Sequence, residues 1–373
     1  MNPVATKRFS ALDVFRGITV CFMIIVNTPG SYDTIWSPLE HAKWHGFTPT
    51  DLVFPSFLFA VGNAMSFVKK KWDDLPQKQV LFKILKRTAI IFLLGYLMYW
   101  FPFFKLDEAG KTTSFPIAET RILGVLQRIA LCYGFASLLI YFLKERVALI
   151  VSIILLFLYW VLLYAFGETG NELTINGNAG LKFDLWLMGE KHLYHGEGIA
   201  FDPEGLLSTI PAITNVVAGF IIGNFVQQNT KTKRGLTQLI LIGFALIVIA
   251  YLWNFILPIN KKLWTSSFVT LTIGLDCLLL SAVIYWIEFN DKQNHFFEVF
   301  GKNPLIIYLL SELMAIIFEM IHIKDESLHE WLFIHIFSFS GNYLGSFLYA
   351  VVYMLLCWSV GYWMDKKKLY VRV

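Results

Sequence analysis

Charge is what this chain has least of. Asp, Glu, Lys and Arg make up 16% of its 373 residues, against the roughly 25% usual in soluble domains. A net charge of +4, with basic residues in short clusters between apolar runs, leaves no nucleic-acid-binding face. Cysteine is sparse as well. Cys21, Cys132, Cys277 and Cys357 each sit alone inside an apolar run with no CxxC pattern, which argues against a disulfide framework and a zinc site. No signal-peptide cleavage site follows the polar start, Met1 to Ser10 with Lys7 and Arg8. The next apolar stretch instead carries Asp13 and Arg16, so it reads as a retained first helix. With no fixed-period repeat and no linker rich in Gly, Pro or Ser, residues 1–373 read as one domain.

What the chain has in abundance is apolar surface. Hydrophobic residues make up 56% and aromatics 17%, and mean hydropathy is +0.58. A soluble chain could not bury so much, because single cores stop growing near about 300 residues. The reading is an all-α, polytopic membrane helix bundle in a lipid bilayer. Ten runs approach the about 20 residues a crossing needs: 11–27, 51–68, 87–104, 122–142, 147–167, 206–226, 236–257, 264–287, 304–321 and 343–364. An even number puts both termini on one side. With that side inside, twenty Lys and Arg fall in inner segments and nine in outer ones, which predicts cytoplasmic termini. The longest outer segment, 168–203, is rich enough in Trp and Leu to fold over the outer face.

Ionisable residues at membrane depth cost at least about 2.5 kcal/mol each to insert, so each calls for a reason. Asn27 ends the first run and Asp51 opens the second, with His41 between them in LEHAKWHGFTPTDLVFPSF, the outer loop 28–50. Gln127 and Arg128 lie in the fourth run, and Asp202 and Glu204 in FDPEG at the mouth of the sixth. All project to the outer part of the bilayer, as in a reaction site or a relay. The plainer alternatives are Arg128 paired with Asp51 or Glu204, and Asp202 N-capping a helix that has Pro203 in its first turn. His41 and His45 are spaced i, i+4, and His192 and His195 share another outer loop. No HExxH acid lies between the first two, and Gly46 and Pro49 oppose a sustained helix, so no metal is expected. Asp13 and Arg16 are spaced for a local ion pair. Asp276, Glu312 and Glu319 have no partner that sequence identifies.

The runs LDVFRGITVCFMIIVN and EHAKWHGFTPTDLVFPSFLFAVG resemble the catalytic membrane domain of the heparan-α-glucosaminide N-acetyltransferase family. RILGVLQRIALCY, HLYH…FDPEGLLSTI, PINKKLWTSSFVT and GKNPLIIYLLSE extend the resemblance, in order, over nearly the whole chain. It implies a transmembrane acyltransferase carrying an acetyl group from cytosolic acetyl-CoA to the amine of a glucosamine-type sugar. The family's active-site histidine falls on His41 and its partner asparagine on Asn27. Two departures are visible: no large extracytoplasmic domain precedes the first run, and His45 stands where an asparagine is expected after Trp44. The first implies a minimal bacterial-type member, in a bacterial inner membrane.

The chemistry fits these residues. An amine attacking a thioester must lose a proton, and a neutral imidazole is suited to accept it. His41 is then general base or transient acyl carrier. Asn27 is a donor to the oxyanion, and Asp51 orients the ring. Trp44, Gln127, Arg128 and Glu204 are candidates to hold the sugar. Arg16 and Lys302 are candidates for the coenzyme A phosphates, and a homodimer is among the states the resemblance allows. Two other readings stay open: a proton-coupled sugar or peptidoglycan-fragment carrier using Asp276 and Glu312, and an O-acetyltransferase of the same membrane type.

Overall fold

A computed structural model describes residues 10–106, 112–229, 232–290 and 294–371. Lys7, Arg8, Lys111, Lys231, Lys292 and Arg372, which contribute to the charge bias, lie outside the described residues. Among the described residues thirteen α-helices follow one another: α1 Ser10–Asn27, α2 Val53–Trp72, α3 Gln77–Trp100, α4 Val125–Phe142, α5 Glu145–Phe166, α6 Ala179–Met188, α7 Thr209–Asn229, α8 Lys233–Asn254, α9 Ser266–Ile284, α10 His295–Lys302, α11 Pro304–Met320, α12 Leu328–Leu332 and α13 Asn342–Lys366. The strands among the described residues form two small antiparallel ribbons, one pairing 104–106 with 112–114 and one pairing 322–323 with 326–327.

Each of the ten expected crossings falls on a helix, but the membrane criterion separates them. Eight helices among the described residues are long and apolar enough to cross, and nine if the bent pair α10–α11, turned by 84°, is one span. The remaining run, 87–104, is shifted. Its helix α3 starts ten residues earlier, carries Lys78, Lys83, Lys86 and Arg87 in its first half, and ends at Trp100 ahead of Pro102.

Burial sorts the helices from inside out. Most of α7 and α9 is buried, whereas α5 and α8 expose Ile150, Ile154, Phe157, Leu241, Val248 and Leu252 along their lengths. Exposed stripes this apolar suit hydrocarbon rather than water. Small residues let the inner helices close up. A Cβ on Gly62 of α2 would strike the Val216 carbonyl of α7, and one on Gly219 would strike Phe59 in return. The four cysteines are buried and free.

The loops after α1, α3, α5, α8 and α11 gather at one face. Gly46 N–H donates to Ile259 O at 2.9 Å, Ile122 N–H to His192 O at 3.2 Å, and Gly30 N–H to Ser346 O at 3.1 Å. Trp44 Nε1–H reaches Leu173 O at 2.8 Å, and His329 meets Gly30 O at 3.0 Å. The 168–203 segment is folded, with Asn178 capping α6 through Leu181 N–H at 2.8 Å. This face carries the site.

Candidate active site

Asp51 organises the first half of the site. Thr48-Pro-Thr-Asp turns the chain into α2, and the Thr48 N–H donates back to Asp51 Oδ2 at 2.9 Å, the return half of a capping box. Ala42 N–H and the Thr48 hydroxyl reach the same oxygen at 3.2 and 3.1 Å. The other oxygen, Oδ1, is 2.7 Å from His41 Nδ1. Asp51 is fully buried while the His41 side chain keeps 40% of its surface accessible. A buried, multiply bonded carboxylate therefore grips one edge of an accessible imidazole. That fixes the proton on Nδ1 and leaves the Nε2 lone pair outward, as a triad acid does for its histidine.

The loop 255–265 supplies the opposite wall. Asn260 accepts from Leu263 N–H at 2.8 Å, and Thr265 Oγ1 accepts from Asn260 N–H at 3.0 Å. This tight turn holds the buried Trp264 in the left-handed region at φ +53°. Gly46, at φ +115°, supplies the matching bend in the His41 loop, a conformation a side chain would strain. The turn brings Lys261 Nζ to 3.0 Å from His41 Nε2 and 3.2 Å from Nδ1. At these distances from both ring nitrogens Nζ lies against the face of the imidazole, off the in-plane Nε2 lone pair. Burial and the Lys261 charge push the His41 imidazole below its usual value, against the pull of Asp51 and Glu204. His41 is thus kept neutral near pH 7.

The third wall is the turn Phe201–Ser208. Asp202 Oδ1 accepts from Glu204 N–H at 2.9 Å, and α7 begins only at Thr209. Asp202 therefore folds its own turn and does not cap the helix, contrary to expectation. Its carboxylate takes a two-pronged grip from Arg121, at 2.8 Å from Nε and 2.7 Å from Nη2. Arg121 Nη2 also reaches Glu204 at 2.8 Å, and the guanidinium lies over the rings of Tyr99 and Tyr194 at 4.9 and 4.7 Å. Burial raises the Glu204 carboxyl, but Arg121, Arg128 and Lys261 outweigh it and hold Glu204 below the usual range. From below, Asp184 of α6 accepts from Leu206 N–H at 3.0 Å. Its other oxygen occupies the space a Cβ at Gly205 would need. Burial pushes the Asp184 carboxyl up to about 7.

Arg128 belongs to this turn and not to an ion pair. It donates to Gly205 O at 2.9 Å and to the Ser208 hydroxyl, beneath the Trp264 ring at 4.8 Å. The expected partners Asp51 and Glu204 are bonded elsewhere, to His41 and to Arg121. Gln127 is buried with its amide against Gly95 of α3. Trp44 packs on Phe201 with ring centroids 5.7 Å apart. Asn27 ends α1 facing Glu312, and Tyr308 faces the same carboxyl. Among the described residues no hydrogen bond joins Asn27 to His41.

The histidine pairs are split among separate partners. His45 Nδ1 faces the Asn260 amide at 3.3 Å; His192 and His195 contact the Thr120 and Glu190 carbonyls at 2.7 and 3.3 Å. No cluster of three or more metal-ligating side chains occurs among the described residues. At the opposite end, Arg16 bonds Asp13 at 2.8 Å as its spacing predicts, and also Gly301 O. Lys302 bonds Asp365 at 2.9 Å. The acids left without partners by sequence acquire them: Asp276 accepts from Ser56, and Glu319 meets His329 at 3.1 Å.

Arg121 and Lys261 are the site residues that sequence reasoning passed over. In the sequence both stand only as charges of outer segments. Lys261 does lie in PINKKLWTSSFVT, a segment of the resemblance, but no spacing links it to a histidine 220 residues away.

Known proteins are similar to this chain over most of its length. The family model described as heparan-alpha-glucosaminide N-acetyltransferase, catalytic, matches residues 8–252, a stretch that contains His41, Asp51, Arg121 and Glu204. The heparan-alpha-glucosaminide N-acetyltransferase of Homo sapiens is 28% identical over 393 residues, covering 87% of this chain and 57% of the human protein. That of Mus musculus is 26% identical over 369 residues, covering 83% and 54%. The chain spans about half the length of these relatives. A polytopic helical membrane protein matched over most of its length in this way belongs to the heparan-alpha-glucosaminide N-acetyltransferase family.

Proposed function

We propose that the chain is a membrane acyltransferase that moves an acetyl group from acetyl-CoA to the amine of a glucosamine-type sugar. The observation that carries this reading is the accessible, neutral His41 gripped by the buried Asp51. The acceptor nitrogen attacks the thioester carbonyl, and its proton passes to His41 Nε2 as the oxyanion forms. Collapse breaks the C–S bond, and the imidazolium returns the proton to the departing thiolate, leaving the amide and free coenzyme A. Asp51 stabilises the imidazolium, a role worth roughly 10²- to 10⁴-fold together with the base it serves. Asn27 is the proposed donor to the oxyanion. Trp44 and Glu204 line the proposed sugar side, and the buried Arg128 supports it through the 201–208 turn. The charge bias supports cytoplasmic termini, with the loop-rich face outside a bacterial inner membrane. Acetyl-CoA then enters from the basic inner side.

The test is purified full-length protein in lipid nanodiscs with labelled acetyl-CoA and a panel of amino sugars. Transfer to a glucosamine-type amine, lost in His41→Ala, is the expected result. The reading is overturned if no sugar is acetylated and no coenzyme A is released, or if His41→Ala turns over normally. Acetylation of a sugar hydroxyl would replace it with the O-transfer reading.

A further inference from the structure

We propose that Lys261 is a positioning residue for His41: its ammonium, set against the ring within 3.2 Å of both nitrogens, fixes the imidazole and keeps its Nε2 lone pair open to an acceptor. The inference rests on the acyltransferase reading for its reaction, but not for its geometry.

Three facts carry it. Lys261 Nζ is 3.0 Å from Nε2, the nitrogen that must take the proton, while Asp51 occupies Nδ1 at 2.7 Å. Lys261 has no carboxylate within bonding distance among the described residues. Its neighbour Lys262 is instead the one bonded to Glu197. Finally, Lys261 is held on a rigid turn, by Asn260 and Thr265, so its approach to the ring is built into the backbone.

The charged groups facing His41 are Asp51 from its own loop, Lys261 from the 255–265 turn, and Glu204 from the 201–208 turn. Asp51 and Glu204 favour a protonated ring; Lys261 is the one group of the three that opposes it. Burial of the ring also opposes protonation, and without Lys261 the two carboxylates shift that balance toward a protonated His41. With Lys261 in place, a fixed positive charge lies against the ring face and leaves the in-plane Nε2 lone pair open to the incoming amine. No bond is made or broken at Lys261, and its proton stays on Nζ.

The experiment follows the His41 ring directly. Full-length protein with labelled histidine, in nanodiscs, is titrated by NMR, and the His41 signal is identified by its loss in His41→Asn. In Lys261→Met the His41 midpoint is expected to rise by about one unit, and the acid limb of the transfer pH profile to move with it. Lys261→Arg keeps the cation and is expected to return both toward the native position. Lys261→Gln gives the same readout if the methionine variant does not fold. An unmoved His41 midpoint in a folded Met or Gln variant overturns the proposal, as does an Arg variant that behaves like Met. If the midpoint moves as expected but the native protein acetylates no amine, the positioning role stands and the proposed reaction falls.

Discussion

Arg121 and Arg128 are near neighbours in sequence, yet the rim and the helix interior treat them in opposite ways. At the rim, Arg121 is saturated, forked onto Asp202, bonded to Glu204 and sandwiched by two tyrosine rings. In the interior, Arg128 meets no carboxylate; its Nε and Nη1 have no hydrogen-bond partner among the described residues. Gln127 beside it is equally unpartnered, and so is the second oxygen of Asp276. Full pairing therefore belongs to the loop-rich face, where charge must be held in fixed places around His41. The interior tolerates loose polar atoms because helices and small residues already fix its packing. Depth in the membrane is a poor guide to which arginine pairs with an acid.

The largest effect expected from this contrast is on activity at the rim. His41→Ala should lower acetyl transfer by about 10³-fold, with the thermal unfolding temperature in detergent close to native, because the ring is accessible and supports no core packing. A large fall in that temperature would mean that His41 is structural and would merge the two regions. Next comes stability. Arg121→Ala strands two buried carboxylates and should cost about 3–5 kcal/mol. Arg128→Met removes a cation that holds only a carbonyl and a hydroxyl, and should cost about 1–2 kcal/mol. Equal losses in the two variants, read by thermal unfolding, would break the comparison.

How much of this was open to sequence depends on the range of the interaction. The apolar runs located ten helices, because hydrocarbon imposes a length and a composition on each crossing. His41 and Asp51 were legible as a pair, since one short loop and one capping turn separate them. Arg121 and Lys261 were not. Each reaches its partner only after distant loops fold onto one another, and nothing in the local pattern of ETRILGV or PINKKLW records that. FDPEG shows the same limit. Asp-Pro-Glu reads as a helix start, but it closes into a turn of its own with Arg121 on both carboxylates, and α7 begins only at Thr209.

That turn gives a pH test of intermediate size. Asp184 is raised from the usual carboxylate range to about 7, so the folded protein holds this proton more tightly than the unfolded chain. Stability is then fullest below the unfolded value and falls as pH climbs toward 7. Asp184→Asn keeps an acceptor for Leu206 N–H and removes the buried charge. It should gain about 1–2 kcal/mol at pH 8 and lose that advantage by pH 4, read as unfolding temperature across the range. A constant offset at all pH values would remove Asp184 titration from the turn.

The smallest effect is expected deep in the bundle. Asp276 is fully buried on α9, with one oxygen bonded to Ser56 of α2 and the other unpartnered. Asparagine preserves the oxygen that Ser56 uses and replaces the idle one with an amide nitrogen of similar size. Stability should change by under about 1 kcal/mol, and acetyl transfer by less than about twofold. The interior acid has no place in the proposed proton path from acceptor to His41 to thiolate, so on that proposal neutralising it leaves the path intact. A carrier coupled to protons would behave differently, because its midplane acid must load and unload on every cycle. Loss of function in Asp276→Asn, with folding retained and sugar uptake into vesicles falling alongside, would move the working centre from the rim to the interior.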